Sequence, residues 1–240
     1  MAEKNTDEWR VLEHGPLEKL ASNVWRVEGA IPGMSLRRVM VVARRASGSL
    51  VVHNAIALDE RTRAQLEALG PLEFLVVPSN IHRLDAPAYK KRYPQLRVFA
   101  PSGSRTKVEE RVTVDGVYED FPNDAAVELG PLAGVADVEG VMTVRSEDGV
   151  SVVLNDAVFN MDKKKDFLGW FFTTVLGSAP GPRVSRLAKL TLVKDQKALK
   201  ADLLRLSELP ELTRLVVSHE KVASGADAAS ALRTAASYLR

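Results

Sequence analysis

Cysteine is absent from the 240 residues. That excludes disulfides, thiolate metal ligands and a thiol nucleophile, and it is compatible with a reducing compartment. A large charge imbalance is also missing: 33 Lys and Arg stand against 31 Asp and Glu, a formal net charge of +2. Such a balance makes no electrostatic case for nucleic acid or an anionic membrane as an obligate partner. The most apolar stretch, Phe167 to Leu176, falls well short of the roughly 18–20 residues that a membrane-spanning helix needs. The polar opening, Met1 to Glu8, lacks the apolar core of a secretory signal. A soluble, cytoplasmic protein is the expectation. There is no Gly-rich phosphate loop and no Gly-x-Ser-x-Gly elbow, so neither nucleotide binding nor a serine nucleophile is indicated.

What is present is an ordinary globular composition, 45% hydrophobic and 27% charged, in a chain long enough to bury a sizeable core. Residues 1–22 read as a loosely structured N-terminal leader and 23–240 as a single domain. Strands are expected at 24–27, 36–43 and 50–53, with Gly33 and Ser47-Gly48 at the turns, which gives an antiparallel start. A helix from Asp59, its N-cap, to Leu69 stops at Gly70-Pro71. A strand at 74–77 and a helix at 86–93 follow; Pro94 ends that helix. A strand at 97–100 precedes a charged helix at 105–111, and 112–126 has no clear pattern. Further strands are expected at 127–129, 132–138, 141–145 and 150–154, with Glu147-Asp148-Gly149 as a hairpin turn. Helices at 167–176, 183–191 and 195–207, a strand at 214–217 and a helix at 226–239 complete the chain. Two β-rich halves with helices outside predict an α/β (α+β) fold, an αβ/βα sandwich of four layers.

Chemistry concentrates where the strand 74–77 runs into Pro78-Ser79-Asn80-Ile81-His82-Arg83-Leu84-Asp85, because polar side chains at strand C-terminal ends are where open α/β folds place their sites. Four short segments, in order and spacing, carry a resemblance. They are Val24-Trp25-Arg26-Val27-Glu28-Gly29, Gly48 to Asn54, the turn after Pro78, and Leu154-Asn155-Asp156 with Phe159-Asn160. From about Val24 onward the chain resembles the metallo-β-lactamase superfamily, and more closely a bacterial branch of metal-hydrolase-like proteins. The resemblance implies that Asn80, His82, Leu84 and Asp85 occupy the positions of the signature His-x-His-x-Asp-His. Only His82 is kept in kind. It further implies that Asp156 takes the bridging carboxylate's place and His219, after Val216-Val217-Ser218, the final His. The third ligand falls at Asp137, with Glu139 as the alternative. His53-Asn54 stands where many members have a supporting Asp.

The implied set is therefore His82, Asp156 and His219, with Asp85 and Asp137 as further candidates and the Asn80 carbonyl as another oxygen. It suits one divalent ion (Zn, Mn, Fe or Mg) better than two zincs, or no metal at all. The expected activity is metal-assisted hydrolysis of a small molecule. The alternatives are a non-catalytic binding or scaffold protein and a mononuclear-iron oxidoreductase. Each residue also has a plain reading. Asp85 precedes Ala86-Pro87 and suits an N-cap; capping is favoured over ligation. Asp156 could bond turn amides, His82 and His219 could be loop residues, Asp137 could be structural, His14 exposed, and His53 a packing or supporting residue. Phe167 to Leu176 is either a core-packed helix, the favoured reading, or an apolar substrate wall or homodimer surface. Lys163-Lys164-Lys165 beside it reads as a solvated face.

Overall fold

The three strands expected at the start pair as an antiparallel sheet because their residues alternate between two apolar environments. In β3 (Met34–Arg44), Val39, Val41 and Ala43 face one core while Met40 and Val42 face another. The computed structural model describes residues 7–240, and β3 lies third in its larger sheet. That sheet runs in sequence order: β1 (Glu18–Ala21), β2 (Val24–Ile31), β3, β4 (Leu50–His53), β5 (Leu72–Val76), β6 (Arg97–Ala100) and β7 (Gly116–Val117). Pairing is antiparallel from β1 to β4 and parallel from β4 to β7. Helices α1 (Glu60–Glu67), α2 (Ala86–Arg92) and α3 (Arg105–Glu109) make the crossovers.

The second sheet has β8 (Val127–Pro131), β9 (Gly140–Ser146), β10 (Gly149–Val153), β11 (Leu212–Val216) and β12 (Ala223–Ser224), ordered β12-β11-β10-β9-β8. Helices α5 (Arg186–Thr191), α6 (Gln196–Ser207) and α7 (Ala226–Ser237) cover its outer face; the short α4 (Phe167–Trp170) lies against β3. Three apolar layers result. Val41, Phe74, Phe99, Met142, Val144 and Val216 fill the space between the sheets. Leu66 and Tyr89 pack on one outer face, and Leu199, Leu203 and Leu232 on the other. This is the expected four-layer αβ/βα sandwich, with the hairpin at 147–148 in place.

The departures have local causes. The strand expected at 132–138 does not form: Gly134, Ala136 and Asp137 have φ of 83°, 50° and 56°, left-handed conformations that end a strand. Of the expected leader, residues 1–6 lie outside the described residues. Residues 18–21 pair with β2, and Trp9 stacks on Tyr89 at 4.8 Å. His14 is not exposed but has its side chain buried, with Nε2 accepting from the Asp59 amide at 2.9 Å. The 167–176 segment is not core-packed. After α4 it winds as a π-helix over 171–175, and Phe167, Leu168, Trp170, Phe171 and Val175 stay exposed while Phe172 turns inward.

Candidate metal centre

His82, Asp156 and His219 come from three strand ends that parallel pairing brings level. β4, β5 and β6 run side by side in one sheet, β10 and β11 in the other, and the turns after β5, β10 and β11 open at one rim. The ligand atoms of the three side chains lie within 4.8 Å of one another. His82 Nε2 is 3.0 Å from Asp156 Oδ2, and His219 Nε2 is 3.3 Å from Asp156 Oδ1. The side chains are 9, 13 and 7% exposed in the order His82, Asp156, His219, so water screens their interaction weakly.

Strand β3 holds both imidazoles from below. The Arg37 carbonyl accepts from His219 Nδ1 at 2.7 Å. Two residues on, the Val39 carbonyl accepts from Asn54 Nδ2 at 2.8 Å, which turns Asn54 Oδ1 toward His82 Nδ1, 3.2 Å away. A carbonyl oxygen only accepts, so each Nδ1 carries the hydrogen and each Nε2 presents a lone pair in the neutral ring. Both Nε2 atoms therefore point at a carboxylate that is itself an acceptor. Three acceptors at 3.0–3.3 Å repel unless a cation or added protons lie among them. The donor set, two imidazoles and one carboxylate, is one that divalent first-row metals take. In the protein alone, protonation is the response. Burial works against a charged His219, yet the hydrogen bond to Asp156, the charge of Asp156, the Arg37 carbonyl and the charge of Glu220 together outweigh it and raise the imidazole above its usual range. Burial also opposes ionisation of Asp156, but the charge of His82 and the bonds from both histidines hold it well below the usual carboxylate range.

Further residues brace the Asp156 turn. Glu139, buried, accepts from Asn155 Nδ2 at 2.9 Å and from the Asp156 and Ala157 amides at 3.1 and 2.9 Å. Burial and the charge of Asp156 push its carboxyl up to about 8 against those bonds. The Ser218 hydroxyl donates to Asn155 Oδ1, tying the β10 and β11 ends together. Phe159 stacks on His219 at 5.6 Å and 16°, and Phe172 stands 6.4 Å from the same ring. His53, at the end of β4, lies in the interior below, where burial, with His82 adding to it, lowers its imidazole to about 3.

Two candidates stand apart. Asp85 lies outside the cluster and makes no side-chain cap: its Oδ2 meets Arg38 Nη2 at 2.5 Å and the Ala57 amide at 3.0 Å. A buried guanidinium needs a buried anion, and Asp85 is that anion. Asp137 sits on the left-handed turn, exposed, with its carbonyl accepting from Gly103. Arg38 went unassigned in the sequence, although an arginine inside the apolar run Leu36 to Ala43 is a signal that an acid lies opposite.

The cluster separates two cavities of about 370 and 360 Å³, and Ile81, Asp156 and Phe172 line both. The first lies under α5 beside Glu139; the second is bounded by Ile31, Met34 and Leu36 and holds His82 and His219. Lys163 to Lys165 take no part, and Lys164 pairs with Glu220.

No family model matches the chain, and no curated protein matches it in sequence. Solved structures do. A metallo-β-lactamase from Pontibacter korlensis aligns over 92% of this chain and 98% of its own at 15% identity, with a TM-score of 0.57. The DIM-1 metallo-β-lactamase exposed to ceftazidime aligns over 95% and 99% at 13% identity and 0.62. The metallo-β-lactamase FIM-1 from Pseudomonas aeruginosa, in its mono-zinc form, aligns over 97% and 98% at 13% and 0.59. At these identities the likeness is one of architecture, and it spans nearly the whole length: the chain has the metallo-β-lactamase fold.

Proposed function

We propose that this protein is a hydrolase acting with one divalent ion held by His82, Asp156 and His219. The observation that carries the reading is the pair of Nε2 lone pairs aimed at one carboxylate from 3.0 and 3.3 Å, an arrangement a cation completes. When bound, such an ion lowers the pKa of a coordinated water toward roughly 7 and polarises a carbonyl. The remaining work belongs to the chain. The Arg37 carbonyl and Asn54 hold both rings in the Nδ1–H form, which keeps Nε2 available without rearrangement. Glu139 and Asn155 fix the turn that carries Asp156. Ile81 and Phe172 flank the cluster and leave access along the two cavities.

The test is metal analysis of protein purified without chelator. Near-stoichiometric Zn, Mn or Fe, lost in both His82→Ala and His219→Ala, supports the reading. A metal-free preparation whose melting temperature is unmoved by all three ions sinks it and leaves a non-catalytic binding protein. The same donor set favours a second reading, a mononuclear-iron oxidoreductase. Iron that cycles between redox states under air and dithionite would distinguish it from the hydrolase.

A further inference from the structure

The cavity under α5 differs in character from the cluster it adjoins. Its walls are Val138, Phe159, Phe172, Leu187, Ala188 and Leu192, and about 370 Å³ falls within the range of small-molecule sites. Its polar groups are committed elsewhere or face water. Both Glu139 oxygens accept hydrogen bonds from 155–157. The Ser79 hydroxyl accepts from the Ile81 and His82 amides at 3.4 Å, and Asn80 and Thr191 are exposed. Among the described residues that line it there is no Lys, Arg or His. The companion cavity contains Arg38, but Asp85 already occupies that guanidinium. Beyond the cluster itself, neither cavity lining offers a free cationic side chain, so the part of a ligand that lies under α5 meets apolar walls and no counter-charge.

Resting on the hydrolase reading, we propose that the substrate is an acyl ester or thioester whose uncharged alkyl chain lies in the cavity under α5, its carbonyl beside Asp156. Hydrolysis adds the water oxygen to the acyl carbon and breaks that carbon's bond to the leaving oxygen or sulfur. The leaving atom departs with the electron pair and takes a proton from the water, so no oxidant or reductant is required. Ala188 and Thr191, on one face of α5, set the room for the chain.

Straight 1-alkanols from butanol to decanol test the cavity without metal or turnover. Titration calorimetry on the full chain should show affinity rising about three- to fourfold per added methylene, as burial of each requires, until the chain outgrows the space. Thr191→Trp, an exposed position that plugs the opening, should weaken octanol at least tenfold with zinc content unchanged. Ala188→Phe, which fills the interior, should do the same if circular dichroism confirms its fold. Affinity independent of chain length, or octanol binding unaltered in folded Thr191→Trp, overturns the proposal. The two readings fail separately. Chain-length-dependent alkanol binding by a protein that takes up no metal removes the hydrolase and with it the ester assignment; zinc uptake with flat alkanol binding removes only the chain. With both intact, kcat/KM on p-nitrophenyl acetate, butyrate and octanoate should climb in that order. A fall along that series overturns the ester assignment.

Discussion

Asn54 shows how much one side chain is asked to do. Its φ is 58°, a left-handed value that Asn tolerates better than most residues, and its amide spans from the Val39 carbonyl to His82. Nothing in local sequence marks that role, since the two contacts lie 15 and 28 positions away. Asn54→Ala should weaken zinc binding about 10- to 100-fold, the usual cost of losing an outer partner of a ligating histidine. Asn54→Gly, which relieves the backbone, should recover stability but not affinity, measured by competition with a chromogenic chelator. Asp85 makes the opposite prediction. Removing one member of a buried ion pair costs roughly 3–5 kcal/mol because the other charge is stranded. Asp85→Ala should therefore lower the urea midpoint sharply while purified folded protein keeps its metal stoichiometry. Lost stoichiometry at unchanged stability would return Asp85 to the ligand set. His82, Asp156 and His219 were legible through the family resemblance, which places them in the turns after three strands; the partners that orient them were not, because orientation depends on distant backbone carbonyls.

Alternation made most elements readable, and backbone conformation decided where it failed. Leu132 to Val138 has the apolar spacing of a strand, yet it packs as a turn against α6. Gly134, with φ of 83°, has its carbonyl accepting from the Lys194 and Asp195 amides at 2.8 and 3.1 Å. A Cβ there would sit 2.3 Å from the Asp195 carbonyl, at the residue that caps α6 by accepting from the Lys197 and Ala198 amides. Gly134→Ala should therefore destabilise by more than about 1 kcal/mol, through positive φ and displacement of the cap together. Gly130→Ala, where the nearest atom outside its neighbours is 4.0 Å away, should stay within about 0.5 kcal/mol. Equal midpoints for the two variants in urea would show that the turn yields freely. The 167–176 segment failed for a different reason: its aromatic density reads as core, but only a tertiary arrangement decides which face is covered, and here Phe172 turns to the site.

At the scale of the whole molecule, the layers follow from strand patterning, whereas the electrostatics follow from depth. His53 is the clearest case. Its position at the end of an apolar strand was visible, but its near-total burial, 2% exposed, depends on the second sheet closing over the first. Burial and the nearby His82 lower its imidazole from 6.5 to about 3. The unfolded chain then binds a proton that the folded chain refuses, so stability falls as pH drops from about 6.5 toward 3 and levels off below. Each pH unit within that window costs up to about 1.4 kcal/mol. Glu139 acts with the opposite sign: its raised carboxyl favours the folded state at low pH and gives that contribution up as pH rises from 4.5 through about 8. The two slopes overlap between 4.5 and 6.5, so the wild-type curve alone cannot isolate either. The difference can. Stability of wild type minus His53→Gln, by urea denaturation of metal-free protein at pH 7.5, 6.5, 5.5 and 4.5, should fall steadily below pH 6.5, with Glu139 cancelling. A difference constant across the four pH values would mean that His53 takes up its proton in the folded protein, and that the interior beneath the cluster is wet.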